Sequence, residues 1–441
     1  MRLLSILILL IQLTLRAQEA VDSTYLAQID SLVTAMQREQ AVRNAITKFE
    51  TKRLQRELQF NTDGFMPLMR GLMLTWTDHG FITHSGTLAP QSDAHNWRDY
   101  GVAGAPLAAS WIMKAAGVKS RSTTQRMLTA NAMAFAFSAG TTKLLKSTVK
   151  ETRPDGTDEH SFPSGHTSFA FASATILARE YGYISPWISV GSYATATATQ
   201  VLRVKHGKHW VSDIYSGAGI GMVSASLAYY LTDRIFGTKG IQTPPEVRRR
   251  DIQRVIQFNA QPSGFSFVSG TEAGSRTITI DGAPVKASAS LTVGADLSFY
   301  LNPNIAVEVL ARSTMGQAKA YNERVSDNAD LREASFGAEH LQLYHFDAAA
   351  KYSIPVALDK RFSGRAIVGA RQFDAITFTS ADQAHQLRQP SRLDFECGLG
   401  LGYEAIDKEN YAVGFSCDWL HAFSPLMKDR FNISTVWKIL F

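Results

Sequence analysis

The sequence predicts an α + β multidomain protein, an all-α helical bundle followed by an antiparallel β-barrel of about eight strands. Three observations carry this. At 441 residues the chain exceeds one ordinary core. Residues 100–237 run in helical segments rich in small residues. Beyond residue 247 the hydrophobic period changes from helical to two. The chain therefore divides into a signal peptide (1–17), a helical N-terminal extension (18–95), the bundle (96–237), a linker (238–250) and the barrel (251–441).

The N-terminus reads as a secretory signal. Arg2 precedes an apolar run from Leu3 to Leu15, with Ala17 as the small residue for cleavage. The run is short for a transmembrane helix. Export places the mature chain in an oxidising compartment. From Val21 to Phe60 the chain is charged, with Tyr25, Ile29, Leu32 and Met36 on one helical stripe. Residues 61–100 are mixed and broken by Gly and Pro.

Five helices follow: Gly101–Gly117, Arg126–Thr148, Ser164–Tyr181, Pro186–Val204 and Val211–Phe236. They carry few charges. A soluble bundle packed through small residues and a membrane bundle both fit. The Ser, Thr, Gly and Ala content favours the first, because membrane spans are dominated by Leu, Ile, Val and Phe. Gly237–Val247, with two prolines, is the break before the barrel.

In the C-terminal part, Val285, Ala287, Ala289, Leu291, Val293, Leu297 and Phe299 share one face, and Lys286, Ser288, Ser290, Thr292, Asp296 and Ser298 the other. Leu393–Tyr403 and Tyr411–Trp419 repeat the pattern, and the chain ends on Phe441. Strands are expected near 254–268, 285–301, 304–314, 340–354, 361–372, 392–405, 410–423 and 430–441. Short connections alternate with long ones, as periplasmic turns and external loops do. A soluble sandwich or lipocalin-like barrel would show the same alternation. Charges of both signs on the small-residue face and aromatics near strand ends favour the membrane. The pattern resembles the small outer-membrane barrels of Gram-negative bacteria. Eight strands leave an interior filled by side chains, where Asp296, Asp347, Lys351, Arg365, Arg371, Asp394 and Glu396 would pair, so the barrel reads as an anchor. An even strand count puts both barrel ends on the periplasmic side, where the helical domain would hang. Cys397 and Cys417 would face each other if the hairpin turned about Asp407; two apolar residues facing lipid is the other reading.

Net charge is +6 and the pI about 9.1. This balance suits an anionic substrate or lipid surface, and the absence of a dense Lys/Arg tract argues against nucleic acid. One chemistry is legible. Lys146, Arg153 and Arg203 supply fixed cations, arginine being suited to bidentate phosphate contact. Ser164 and Gly165 open a helix whose free N–H groups can bind phosphate oxygens. His209 and Asp213 lie four apart on one helical face, so the carboxylate can fix the imidazole tautomer and leave its other nitrogen as nucleophile. His166 is placed to protonate a leaving oxygen. Three cations already offset phosphate charge, so no metal or other cofactor is expected.

These residues fall in three blocks: Lys146 to Arg153-Pro154, Pro163-Ser164-Gly165-His166, and Arg203 to His209 to Asp213. Their spacing resembles the type-2 phosphatidic acid phosphatase superfamily over roughly residues 95–237. One departure is Leu202, where the family usually has serine. This costs a supporting hydrogen bond and no catalytic group. The resemblance implies a helical bundle of the phosphatase/haloperoxidase kind and a phosphohistidine on His209. It also implies leaving-group protonation by His166, and phosphate binding by Lys146, Arg153, Ser164, Gly165 and Arg203. His160, Lys150, His206 and Lys208 match no invariant position and read as solvated or substrate-facing.

The expected activity is removal of phosphate from a lipid phosphate or pyrophosphate: phosphatidic acid, phosphatidylglycerol phosphate, undecaprenyl pyrophosphate or lipid A. The alternatives are a vanadium-dependent haloperoxidase, a non-specific acid phosphatase for soluble monoesters, and a barrel carrying a decayed domain. The expected partners are the lipid substrate and an outer-membrane bilayer, with no nucleic acid, and the expected location is a Gram-negative outer membrane with the catalytic domain in the periplasm.

Overall fold

The computed structural model describes residues 64–85, 97–237, 239–242, 258, 262–274, 277–280, 283–320, 338–357, 360–379, 386–406, 412–424 and 429–440. The expected signal peptide, the stripe of residues 21–60 and the terminal Phe441 lie outside them. Six helices precede the barrel among the described residues: α1 (Phe65–Ser85), α2 (Trp97–Ala115), α3 (Thr124–Val149), α4 (Gly165–Tyr181), α5 (Pro186–Lys205) and α6 (Val211–Phe236). The last five coincide with the sequence expectation to within a turn. Helix α1 was hidden by a mixed composition, and it packs on α6. A Cβ on Gly71 would lie 2.2 Å from the Ser216 hydroxyl, and one on Gly219 2.4 Å from the Leu68 amide, so small residues set this close crossing.

Why the bundle needs so few large side chains is visible at α4 and α6. A Cβ on Gly217 would lie 2.5 Å from the Ser164 carbonyl, and one on Gly221 2.2 Å from the Ser168 carbonyl. Backbone meets backbone there, and Ala170, Ala174, Ala178, Ala218 and Ala225 are fully or almost fully buried. Among the described residues no helix is long and apolar enough to cross a membrane.

The barrel strands are β1 (Gly264–Gly274), β4 (Ser290–Tyr300), β5 (Ile305–Ala320), β6 (Ala338–Ala357), β7 (Lys360–Phe373), β10 (Arg392–Ile406), β11 (Ala412–Ala422) and β12 (Asp429–Leu440). They follow the order β5-β4-β1-β12-β11-β10-β7-β6, and a β5–β6 pairing closes the ring. The remaining strands β2 (Thr277–Ile280), β3 (Ala283–Ala287), β8 (Ile376–Thr379) and β9 (Gln386–Gln389) form two hairpins at one rim.

Three expectations need correction. The first strand is β1 at 264–274, not 254–268. The long alternating stretch 285–301 is not one strand. It breaks at Ser288-Ala289 into the end of β3 and the start of β4, because period two continues across a hairpin extension. The cysteines do not face each other: Cys397 pairs with His421 and Leu401 with Cys417, since the hairpin turns two residues later than assumed. Both thiols are free.

Inside the ring the polar faces meet. Arg312 pairs with Asp296 at 2.6 Å and Asp418 at 3.0 Å, Arg365 with Asp418 at 2.6 Å, and Lys351 with Glu404 at 2.6 Å and Glu308 at 3.1 Å. Arg371 reaches Asp394 at 3.1 Å, and Arg430 bridges Glu272 and Glu396. Asp347 is buried beside them. An apolar cluster of Ile278, Val285, Leu343, Phe373 and Phe378 fills the rim of the two hairpins. The interior of the ring is thus filled by paired side chains.

The helices do not hang from the rim where the barrel begins and ends. They lie along its outer wall. Val204, Val211 and Ile214 pack on Leu291 and Met315, while Phe171 and Tyr193 pack on Trp437 and Ile439. The Tyr193 and Trp437 rings stack with centroids 5.4 Å apart. Polar groups on the wall are matched: Tyr215 donates to the Gly270 carbonyl at 2.5 Å, and Arg70 to the Ser269 carbonyl at 3.4 Å.

Candidate active site

The three sequence blocks converge where α3 and α5 end and α4 and α6 begin. Helix α5 stops in a Schellman turn: Lys208 N–H donates to the Arg203 carbonyl at 3.2 Å and Gly207 N–H to that of Val204 at 3.0 Å. Gly207 supplies the left-handed conformation at φ 60°. The turn carries Arg203 on one side and His209 on the other into one place.

His209 is 2% exposed and Asp213 fully buried. The Asp213 carboxylate collects the site. Its Oδ2 lies 3.3 Å from His209 Nδ1, accepts the Trp210 N–H at 2.9 Å, and accepts the Ser161 hydroxyl. The Trp210 bond is one arm of a capping arrangement at the start of α6. With Nδ1–H turned to the carboxylate, Nε2 keeps its lone pair. Burial first, then the cations of Arg203, Arg153 and Lys146, and then His166, hold the His209 imidazole well below the ordinary histidine range. It is therefore neutral at pH 7.

Lys146 sits in the last turn of α3 and donates to the carbonyls of His160 and Ser161. Burial, followed by Arg153, pushes its amine down to about 8, against the opposing pull of Asp213 and Asp158. Arg153 lies in the loop before α4, where Asp158 holds its Nε at 2.7 Å and the Lys208 carbonyl its NH1 at 3.1 Å. Arg203 is 8% exposed in the last turn of α5. Ser164 caps α4, accepting from Thr167 N–H, and its own N–H donates to the Asp213 carbonyl at 3.1 Å, which ties the two helix starts together. Gly165 begins α4, and the half-buried His166 follows with its ring 4.1 Å from that of Tyr100.

Beside these groups lies a cavity of about 560 Å³, lined among others by Phe135, Ala139, Thr142 and Phe169 and by Lys146, His160 and Gly165. All eight residues expected for the site are thus in one neighbourhood. Lys208, expected to be solvated or substrate-facing, pairs with the buried Asp155 at 2.7 Å. Ser161, Asp158, Asp155 and Tyr100 were not singled out from the sequence. Of these, Asp158, an acid five residues beyond Arg153, gave a signal in the sequence. Leu202 is half-buried, and its carbonyl accepts from His206 N–H at 2.9 Å.

Residues 127–236, which hold most of this helical arrangement, match the family model of the PAP2 superfamily. Over 132 residues the chain is 41% identical to a lipid A 1-phosphatase of Porphyromonas gingivalis, a match that takes in 30% of this chain and 30% of that protein. The chain is also similar to a solved transmembrane PAP2-type phosphatidylglycerolphosphate phosphatase from Bacillus subtilis (18% identity, 40% of this chain, 98% of that one, TM-score 0.24). The Neisserial surface protein A has 10% identity over 41% of this chain and 96% of its own, with a TM-score of 0.26.

Proposed function

We propose that this protein is a metal-independent phosphatase that removes phosphate from a lipid phosphate or pyrophosphate through a phosphohistidine on His209. The observation that supports it is the gathering of Arg203, Arg153, Lys146 and His166 around the buried His209, with Lys146 and the helix start at Gly165 also lining an apolar-walled cavity. Lys146, Arg153, Arg203 and the backbone at Ser164 and Gly165 hold the phosphate oxygens. His209 Nε2 attacks phosphorus, the bond to the lipid oxygen breaks, and His166 gives that oxygen a proton. Asp213 stabilises the positive charge that develops on the His209 ring. Water then attacks phosphorus, His166 takes its proton, the N–P bond breaks, and inorganic phosphate leaves with His209 restored. The apolar wall of Phe135, Ala139 and Phe169 suits an acyl chain next to the reacting group.

Among the substrates considered, the name of the Porphyromonas gingivalis relative makes a lipid A type 1-phosphate the first to try. Residues 251–441 anchor the enzyme in an outer membrane. The barrel's ends and the linker belong at the periplasmic rim, so the chain reaches the helices from the periplasm. The test is phosphate release by the full-length protein in detergent and EDTA, over lipid and soluble phosphates, beside His209→Ala. Release that survives EDTA and disappears in the variant supports the reading. Failure to release phosphate from every substrate, or halide oxidation with vanadate and peroxide in its place, removes it.

A further inference from the structure

The helices run up the barrel wall, and the direction in which they run positions the site. Strand β1 begins at Gly264, opposite Leu440 at the end of β12, so both barrel ends share one rim. The short connections at 301–304, 358–359 and 407–411 lie at that same rim. At the other rim β5 and β6, and β7 and β10, are joined by long connections, β11 and β12 by a short one, and the β2–β3 hairpin lies there. In outer-membrane barrels short turns face the periplasm and long loops the exterior.

Helix α5 starts at the periplasmic rim, with the Trp187 ring 5.7 Å from that of Phe265. It ends with Val204 packed beside Leu291 and Met315. Leu291 is the register partner of Thr271, six residues up β1 from Phe265, which is about 20 Å along the strand. The start of α6 shares the upper level, through Val211, Ile214 and the Tyr215 bond to Gly270. His209, Arg203 and Asp213 are next to these anchors in sequence, so the site lies toward the exterior rim.

No described helix is long and apolar enough to cross a membrane by itself, but packed together against the barrel wall the helices share a band without charges. Charges are absent from Tyr100–Met113, Met127–Thr142, Thr167–Ala178, Pro186–Leu202 and Ile214–Thr232. The α3 stretch spans about 24 Å, against an apolar band of about 25 Å on an outer-membrane barrel. Lys114, Arg121, Arg126, Arg179, Asp233 and Arg234 border it at one end, and the site residues border it at the other. Within the band Ile112 and Leu128 are 66% and 58% exposed. The barrel wall likewise exposes Leu297, Phe299, Phe431 and Ile433.

We infer that the helical half lies in the outer membrane alongside the barrel, with its catalytic mouth open to the external leaflet, from which it takes a lipid phosphate. The choice of a lipid phosphate rests on the function proposed above; the side of the membrane does not. The test uses full-length protein in intact cells, with Cys397 and Cys417 replaced by serine and single thiols at Ser147→Cys, on the cavity wall, or Gln125→Cys, exposed at the opposite end of α3. A membrane-impermeant maleimide is applied before and after the outer membrane is permeabilised. The expected result is Ser147→Cys labelling in intact cells equal to that after permeabilisation, with loss of Gln125→Cys labelling in intact cells. Protection of Ser147→Cys until permeabilisation, or equal labelling of the two thiols at either stage, overturns the inference. Should Ser147→Cys fail to fold, Lys143→Cys on the same wall replaces it. Labelling needs no turnover, so a protein that is inactive yet labelled as expected would refute the phosphatase reading and leave the topology standing.

Discussion

Asp213 gives the most discriminating substitution, because one oxygen serves both structure and chemistry. Its Oδ2 accepts from Trp210 N–H at 2.9 Å and from Ser161, and it lies 3.3 Å from His209 Nδ1. Asp213→Asn keeps an acceptor oxygen for the first two and removes the charge that the third needs. A hydrogen bond to a charged group contributes about 1.5–3 kcal/mol, so kcat/KM should fall by about 10- to 150-fold, with little change in stability. Asp213→Ala removes all three bonds. It leaves three buried donors, Trp210 N–H, the Ser161 hydroxyl and His209 Nδ1–H, without an acceptor, each costing about 1–3 kcal/mol, and should destabilise the helical half by about 3–9 kcal/mol. The assay pairs phosphate release with denaturant unfolding followed by tryptophan fluorescence, to which the buried Trp210 contributes. Wild-type kcat/KM in Asp213→Asn, or an unshifted unfolding midpoint in Asp213→Ala, would refute the assigned role.

Three other outcomes are expected. The Lys146 amine is a cation below about 8 and neutral above it, so kcat/KM should decline as pH rises through that value. Lys146→Arg should move the decline to higher pH, and an unmoved profile would show that another group sets it. Gly217→Ala places a methyl 2.5 Å from the Ser164 carbonyl. It should lower stability by about 1–3 kcal/mol and reduce turnover by shifting α4 from α6; unchanged activity and midpoint would show that the helices can part freely. Arg430→Gln leaves Glu272 and Glu396 buried without their cation and should cost about 3–5 kcal/mol, read as a lower temperature for loss of the folded barrel band on an unboiled gel.

The sequence revealed most where local chemistry and period agree. Five helices were legible because their apolar and small residues recur at helical spacing between Gly, Pro and Ser breaks. The eight site residues were legible because each needs a fixed distance from the next along the chain. Ser161 and Asp155 were not, since their roles arise only when the loop before α4 folds back to α6. The barrel's strands were legible from period two, but that period continued unbroken through residues 285–301 where the chain turns between β3 and β4. Arg312, Asp418 and Arg430 follow the inward parity of their strands, yet only the ring closure shows which acid meets which base. The position of the helices on the outer wall left no mark that period or spacing could show. Outward-facing Ser269, Thr271 and Thr435 break the apolar pattern where the helices cover the wall, and they explain the lapse only once the contact is known.

The central claim is that phosphate passes through His209. The direct measurement is rapid acid-free quenching of the full-length enzyme turning over a lipid phosphate labelled in the scissile phosphoryl group, followed by peptide mapping. The account predicts an acid-labile, base-stable label on the peptide that carries His209, absent from His209→Gln. Sustained turnover by His209→Gln, or label on any other residue, would contradict it.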